Sequence, residues 1–550
     1  MSTPHPLSRR DFVKLTSVAA VSASARGSVL ARGSALAPTT PKAPAKLTLY
    51  PIPPLYQNKL SPKFRLTVNG QSVPVLRFIG KSGFIHTAHF ALEGPATLAV
   101  ESTEAIQTYK LGPVASVTSP TVTGKHLTFD IPAPKYLVLQ LNEGKELLCI
   151  VAETPETGAP DPTSPTVIDA RKDKIDNTGK DLVTTQVQAL IDRAAAIPGG
   201  IAYFQPGAYR VGLIELRNNS SIYLAPGAYL FGSASEKDLA ITGSQNRGAR
   251  GLMTSTTILH ANGVHNIRIF GRGIIDGNAW NSDAKSQFRA AINFVGCNNV
   301  QIEGVTIANS NTWTAIAFCR DIKIDGLKSL QDTQFNETDA LDICSCVNAD
   351  IGYSLLVAGD DNFCVKGSGD VNGPGGMASS WGWRGKAAPP ENITLHDTVF
   401  FSGSAALKLG IQAFTEISNI TLRDLQIVQA HRAISITHEQ GAAAIGRALF
   451  ENITVDHIAQ IMPNRHISNC PISIGFGKKT TGAIHAITLR NITIREFGPA
   501  HSDITATGGA VDGIHFEDVS IAGVPITSPE AGRIDVSGDV KHLTFAAAQK

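Results

Sequence analysis

From residue 266 onward the 550-residue sequence keeps returning to one short unit: Asn or Asp, then Ile or Val, then alternating polar and apolar residues. It occurs as Asn266-Ile267-Arg268-Ile269, Asn299-Val300-Gln301-Ile302, Asp321-Ile322-Lys323-Ile324 and Asn392-Ile393-Thr394-Leu395. It returns as Asn419-Ile420-Thr421-Leu422, Asn452-Ile453-Thr454-Val455 and Ala486-Ile487-Thr488-Leu489. The interval varies between roughly 20 and 40 residues, as in a coil that carries loops of unequal length. One unit holds too little apolar surface to bury a core alone. Stacked in parallel, successive units close one apolar interior and pair each strand with its successor. The recurring Asn residues are expected to stack and satisfy buried turn amides. A β-propeller also repeats, but its blades need hairpin turns that this region does not show. The expectation is an all-β chain whose residues 161–550 form a right-handed parallel β-helix.

The segment before the repeat reads differently. Phe64–Val68 leads into an Asn69-Gly70 turn, and Tyr136–Leu141 into Asn142-Glu143-Gly144; Asn-Gly between strand-like runs is a strong hairpin signal. Residues 41–160 are therefore expected to form a small β-sandwich, ending in the Pro-rich linker Thr154 to Pro165. A helix is expected over Val183 to Ala196, stopped by Ile197-Pro198-Gly199-Gly200. It would plug the open end of the stack.

Residues 1–40 fall outside the fold. Ser8-Arg9-Arg10-Asp11-Phe12-Val13-Lys14 reads as a twin-arginine signal, followed by a mildly apolar stretch too short to span a bilayer. The mature protein is then expected in the periplasm or outside the cell, with no membrane association. A formal charge of +2, with Lys and Arg scattered, argues against a nucleic-acid partner. The seven cysteines show no C-x-x-C pair, and most lie in apolar runs, where a free thiol behaves as a small buried hydrophobe; one bridge is the alternative. Neither a metal nor a cofactor is expected.

In a filled solenoid, chemistry belongs on an outer face, and acids one coil apart would stack there about 5 Å from each other. Asp339 and the pair Asp360-Asp361 meet that spacing. Adjacent acids on a regular strand point to opposite faces, so Asp360 and Asp361 should occupy a bend, with Gly359 supplying the freedom. Crowded carboxylates cannot all ionise at equal cost, so one should keep its proton near neutral pH. That is the requirement of glycoside hydrolysis, a protonated acid beside an ionised base. Asp342 reads as a turn cap. Candidate substrate contacts are Trp313, Lys366, Lys408, His438 and Glu439 on the same expected face, together with Trp381 and Trp383 in a Gly-rich insertion.

Thr338-Asp339-Ala340-Leu341-Asp342 and Gly359-Asp360-Asp361 resemble the Asn-Thr-Asp-Gly-Ile-Asp and Gly-Asp-Asp motifs of the polygalacturonase family, glycoside hydrolase family 28. Asp276-Gly277-Asn278-Ala279-Trp280, Asn309 to Trp313 and Ile201 to Gly207 are similar to further stretches of it. The N-terminal sandwich resembles that of family 49, the dextranase and isopullulanase group. The resemblance implies a pectin-lyase-like solenoid and an inverting, three-aspartate hydrolase of a polysaccharide or oligosaccharide. It implies that Asp360 is the general acid and that Asp339 and Asp361 position and deprotonate water.

Two departures bear on substrate. Ala405 stands where polygalacturonases carry the histidine of Gly-His-Gly, and His431-Arg432-Ala433-Ile434-Ser435-Ile436 replaces their Arg-Ile-Lys run. Without that cationic clamp a uronate loses its main recognition element, which favours a neutral α-glucan. A pectin hydrolase and a non-catalytic glycan-binding β-helix are the alternatives.

Overall fold

The computed structural model describes residues 46–81, 83–246, 252–283, 288–369, 383, 385–459, 469–477, 480–498 and 500–546. The proposed signal segment and Trp381 lie outside the described residues.

Parallel pairing dominates from Val167 on, each strand bonding to the strand one coil later. Phe288–Val295, Asn298–Glu303 and Thr306–Ala308 make one coil, followed by Ala315–Ala317, Arg320–Asp325 and Lys328–Leu330. Leu341–Cys344, Val347–Gly352 and Leu355–Ala358 make the next. The three strands of each coil lie in three parallel sheets, giving the right-handed β-helix. Inward residues such as Ile316, Ile343, Val365, Leu409 and Ile436 form a continuous buried core. The helix Thr184–Ala195 turns Val187, Leu190, Ile191 and Ala194 into that core and closes its N-terminal end. The parallel ladder is interrupted ahead of the repeating units, where Ile241–Asn246 pairs antiparallel with Leu252–Asn262, and again near its end, where Ser520 and Ile521 pair antiparallel with Pro525 and Val524, a short hairpin inside the region where none was expected.

The asparagine ladder exists, but it is exposed, not buried. Asn266 donates to Asn219 at 2.8 Å, Asn299 to Asn266 at 2.9 Å and Asn392 to Asn348 at 3.1 Å. Their residues take left-handed backbones, with φ of 57° at Asn266 and 56° at Asn299, which Asn tolerates better than most side chains. Conformation therefore selects the residue, and stacking adds to it. The repeat also merges two corners. Asn452 stacks on Asp424, and Asn491 on Asn452, one sheet away from the corner that holds Asn392 and Asn419.

The segment before the solenoid forms two facing sheets, one of six strands and one of five, around a core of Phe64, Leu66, Phe90, Leu98, Phe129 and Leu139. Asn69 and Gly70 turn the first hairpin with φ of 50° and 80°. The strands Tyr136–Leu141 and Leu147–Glu153 are apolar on both sides because their outer side chains pack on the solenoid. There Val138, Cys149 and Val151 meet Leu330, Leu355, Val357 and Phe401. Tyr56 donates to Asp276 Oδ2 at 2.8 Å, so the Asp276 stretch serves this interface. Among the described residues no helix is long and apolar enough to cross a membrane. All seven cysteines are buried and unbridged.

Candidate active site

The strands beginning at Ala315, Leu341, Phe363, Ala405 and Arg432 lie side by side in one sheet. Leu341, Phe363 and Leu407 point inward in register. The alternation of a strand therefore turns Asp342, Cys364 and Lys408 outward on one row. The Ala340 amide bonds the Asp361 carbonyl, and Ala405 pairs with Arg432. A neighbouring outer row therefore runs Asp339, Asp361, Ala405, Arg432, one strand spacing of about 4.8 Å apart at each step.

Asp339 and Asp361 are each only 3% exposed, and Asp360 is the most open of the cluster. Asp360 and Asp361 occupy a bend between Leu355–Ala358 and Phe363–Gly367, which lets both reach this face. Gly359 is there for space rather than for an unusual φ. A Cβ on it would stand 2.3 Å from the Phe335 carbonyl oxygen and 2.5 Å from that of Asp332. The Ser402 hydroxyl donates to the Asp360 carbonyl at 2.9 Å.

Two lysines divide the carboxyl groups. Lys366 Nζ bonds Asp342 and lies 3.3 Å from Asp339 Oδ2, while Lys408 Nζ donates to Asp361 Oδ2 at 2.7 Å. Asp342 is thus no turn cap: it lies within a strand, fully buried, as part of the cluster. Outward parity, with Lys366 on the next coil, is the signal that would have found it. Burial, then the Asp342 charge, pushes Asp339 well above the usual carboxylate range, against Lys366. Burial likewise raises Asp342, with Lys366 opposing. Burial pulls the Lys366 ammonium down, but its neighbours, Asp342 foremost, outweigh it. Of the pair, Asp339 is the group that burial and the neighbouring charge incline toward its protonated form.

The other candidates scatter. Lys366 Nζ sits 3.5 Å over the Trp313 ring, so Trp313 lines the cluster. Trp383 stacks on Phe318 with centroids 4.4 Å apart and packs against the cluster that holds Val295 and Ala317, so its ring face is taken up by the protein. His438 is fully buried, bonded to the Ala443 carbonyl at 2.7 Å and stacked on Phe476, so it presents no face to a substrate. Glu439 is exposed farther along that strand.

Sequence reasoning missed a brace from the sandwich. The Lys81 amide donates to Asp332 Oδ2 at 2.5 Å, and the Gln334 amide to Oδ1 at 2.9 Å. The Thr338 hydroxyl donates to the Asp332 carbonyl at 2.8 Å and accepts from the Gly359 amide at 3.1 Å. This chain links the sandwich to the residues that precede Asp339 and Asp360. Asp332→Ala is expected to lower kcat roughly 10–100-fold, because small displacements of reacting groups are costly. Steady-state kinetics beside a thermal melt checks this; an unchanged kcat would separate the brace from the chemistry.

The model of the Glycosyl hydrolases family 28 matches residues 231–532. An exo-poly-alpha-D-galacturonosidase of Dickeya chrysanthemi is 24% identical over 424 residues, covering 66% of this chain and 69% of that protein. The exopolygalacturonase of Thermotoga maritima superimposes with a TM-score of 0.51 at 15% identity, over 66% of this chain and 88% of that one. Dex49A from Penicillium minioluteum superimposes with a TM-score of 0.42 at 12% identity, over 90% of this chain and 96% of that one.

Proposed function

The chain belongs to glycosyl hydrolases family 28, and from that premise we propose that it is an exported, inverting hydrolase of a galacturonan-type pectic polymer. Asp360, the most open carboxyl, protonates the leaving oxygen. Asp361 deprotonates the attacking water. Asp339, inclined to keep its proton, donates a hydrogen bond that positions that water. The observation that carries this reading is geometric: Asp339, Asp360 and Asp361 come from neighbouring coils, Asp360 is the most open of them, and Asp361 accepts from Lys408 Nζ at 2.7 Å.

The pectic substrate is better supported than the neutral α-glucan, since the family match and the curated relative both lie on that side. Lys366 and Lys408 are occupied by carboxylates. Arg432, on the row of Asp361, has no carboxylate partner among the described residues, and it is the cation this reading assigns to a uronate. The Ser8–Lys14 signal belongs to the same proposal, because pectic polymers are met outside the cell.

Reducing-end release from polygalacturonate, rhamnogalacturonan, dextran and pullulan tests it. Release is expected from polygalacturonate, with the first-formed anomer inverted by NMR. Release from dextran or pullulan alone would reject the substrate class, and a retained anomer would reject the mechanism.

A further inference from the structure

We propose that Lys408 is a positioning residue that keeps Asp361 ionised and aimed, acting through that carboxylate and not on the substrate. The inference rests on Asp361 being the base of the proposed reaction.

The geometry leaves Asp361 little choice. Lys408 Nζ donates to Oδ2 at 2.7 Å, and the Ala405 amide reaches Oδ1 at 3.2 Å, so both carboxylate oxygens are held from the same strand. Ala405–Ala413 is the next strand of the sheet, and Lys408 stands opposite Cys364 on one side and Ser435 on the other. Both side chains are nearly buried, at 10% exposure for Lys408 and 5% for Asp361, so water screens the pair poorly. A bond made in that setting fixes the carboxylate in orientation as well as in charge.

The surroundings explain why a cation is needed. On Asp361's own segment stand Asp360, Cys364 and Lys366. The preceding coil contributes Asp339 and Asp342, the following strand Lys408 itself, and the strand beyond that Arg432 on the row of Asp361 and the neutral Ser435 opposite Lys408. Lys366 bonds Asp342 and lies beside Asp339, while Lys408 is in direct contact with Asp361. Burial pulls the Lys408 ammonium down, but Asp361, Cys364 and Asp360 outweigh it and raise it above its ordinary value. Its charge is therefore constant over the working range, and it neither supplies nor takes the proton of the reaction.

Take that charge away and Asp361 loses the compensation Lys408 gives it against Asp339, Asp342 and Asp360. A base must be deprotonated to work, so kcat/KM falls as pH drops through its pKa. Loss of the cation raises that pKa, and the fall begins at higher pH. Lys408→Met is expected to move the acidic limb upward by about one pH unit or more. It should lower kcat roughly 100-fold with KM changed less than about threefold. Lys408→Arg keeps the charge and should restore the limb and much of kcat. Lys408→Gln keeps a hydrogen bond without charge and should resemble Lys408→Met; it also replaces that variant if burying Met unfolds the site.

A carboxyl 13C NMR titration, with Asp361 assigned through Asp361→Asn, reads the same pKa without any substrate. A higher Asp361 pKa in Lys408→Gln but not in Lys408→Arg is the expected result. An unmoved Asp361 pKa, or a raised KM at unchanged kcat, overturns the inference and makes Lys408 a substrate contact. A wild type that cleaves none of the four polymers rejects the proposed substrate class instead, and the NMR arm still decides the role of Lys408.

Discussion

Asp360→Asn is expected to fold, to bind polymer as before, and to lose about 100- to 10,000-fold in kcat, the range set by general acid catalysis. The amide keeps the shape of the carboxyl but has no proton to give to the leaving oxygen. The backbone at this position has its own hold, the Asp360 carbonyl accepting from the Ser402 hydroxyl, so the segment should keep its place in the variant. The loss should depend on the leaving group. An aryl galacturonide, whose phenolate departs without protonation, should be hydrolysed by Asp360→Asn far better than polymer is. Asp361→Asn should be defective on both, because water still has to be activated. This contrast separates acid from base more sharply than either rate alone. Equal losses on polymer and aryl substrate in Asp360→Asn would take the acid role away from it. Activity within about tenfold of wild type would remove the three-aspartate mechanism altogether.

Much of this arrangement is legible in the residues, and the missing parts have physical causes. The solenoid is readable because the side chains that close its interior recur in strand-period alternation, and the helix because Val187, Leu190, Ile191 and Ala194 fall on one side before a proline-glycine stop. Asp339, Asp360 and Asp361 stand out because acids one coil apart must stack. Asp342 was hidden by its motif. Read as part of a turn it looks like a cap, and only strand register shows it facing Lys366 across one coil. The two asparagine corners merge in the sequence because both demand the same left-handed backbone, so one residue type marks two places. Asp332 carried no signal at all. Its contact with the Lys81 amide spans 251 residues and runs to a backbone donor, which leaves no trace in side-chain pattern.

Glu153→Gln is expected to be the most destabilising single substitution at the face between sandwich and solenoid, at about 3–5 kcal/mol, the range for orphaning a buried charge. Glu153 ends the last sandwich strand and accepts from Lys328 Nζ at 2.6 Å, from Tyr136 at 3.0 Å and from His89 at 2.6 Å. Arg272 pairs with it at 3.1 Å. Burial alone would push this carboxyl up, but Lys328, His89 and Arg272 outweigh burial and hold it well below the usual carboxylate range. Lys328, wholly buried beside Arg272, is pulled down to about 8 by desolvation despite Glu153. The pair's stabilisation therefore shows on the carboxylate, and its cost shows on the ammonium. Because the folded pKa of Glu153 is depressed, its contribution is fully present above the unfolded value, about 4.5, and is lost as pH falls toward the folded one. The amide carries no such linkage, so the gap between wild type and Glu153→Gln in chemical denaturation should narrow steadily below that pH. Glu153→Gln/Lys328→Met, which removes the orphaned ammonium as well, should recover a large part of the loss. A double variant no more stable than Glu153→Gln would mean that packing, not the buried charge, sets the penalty at this face.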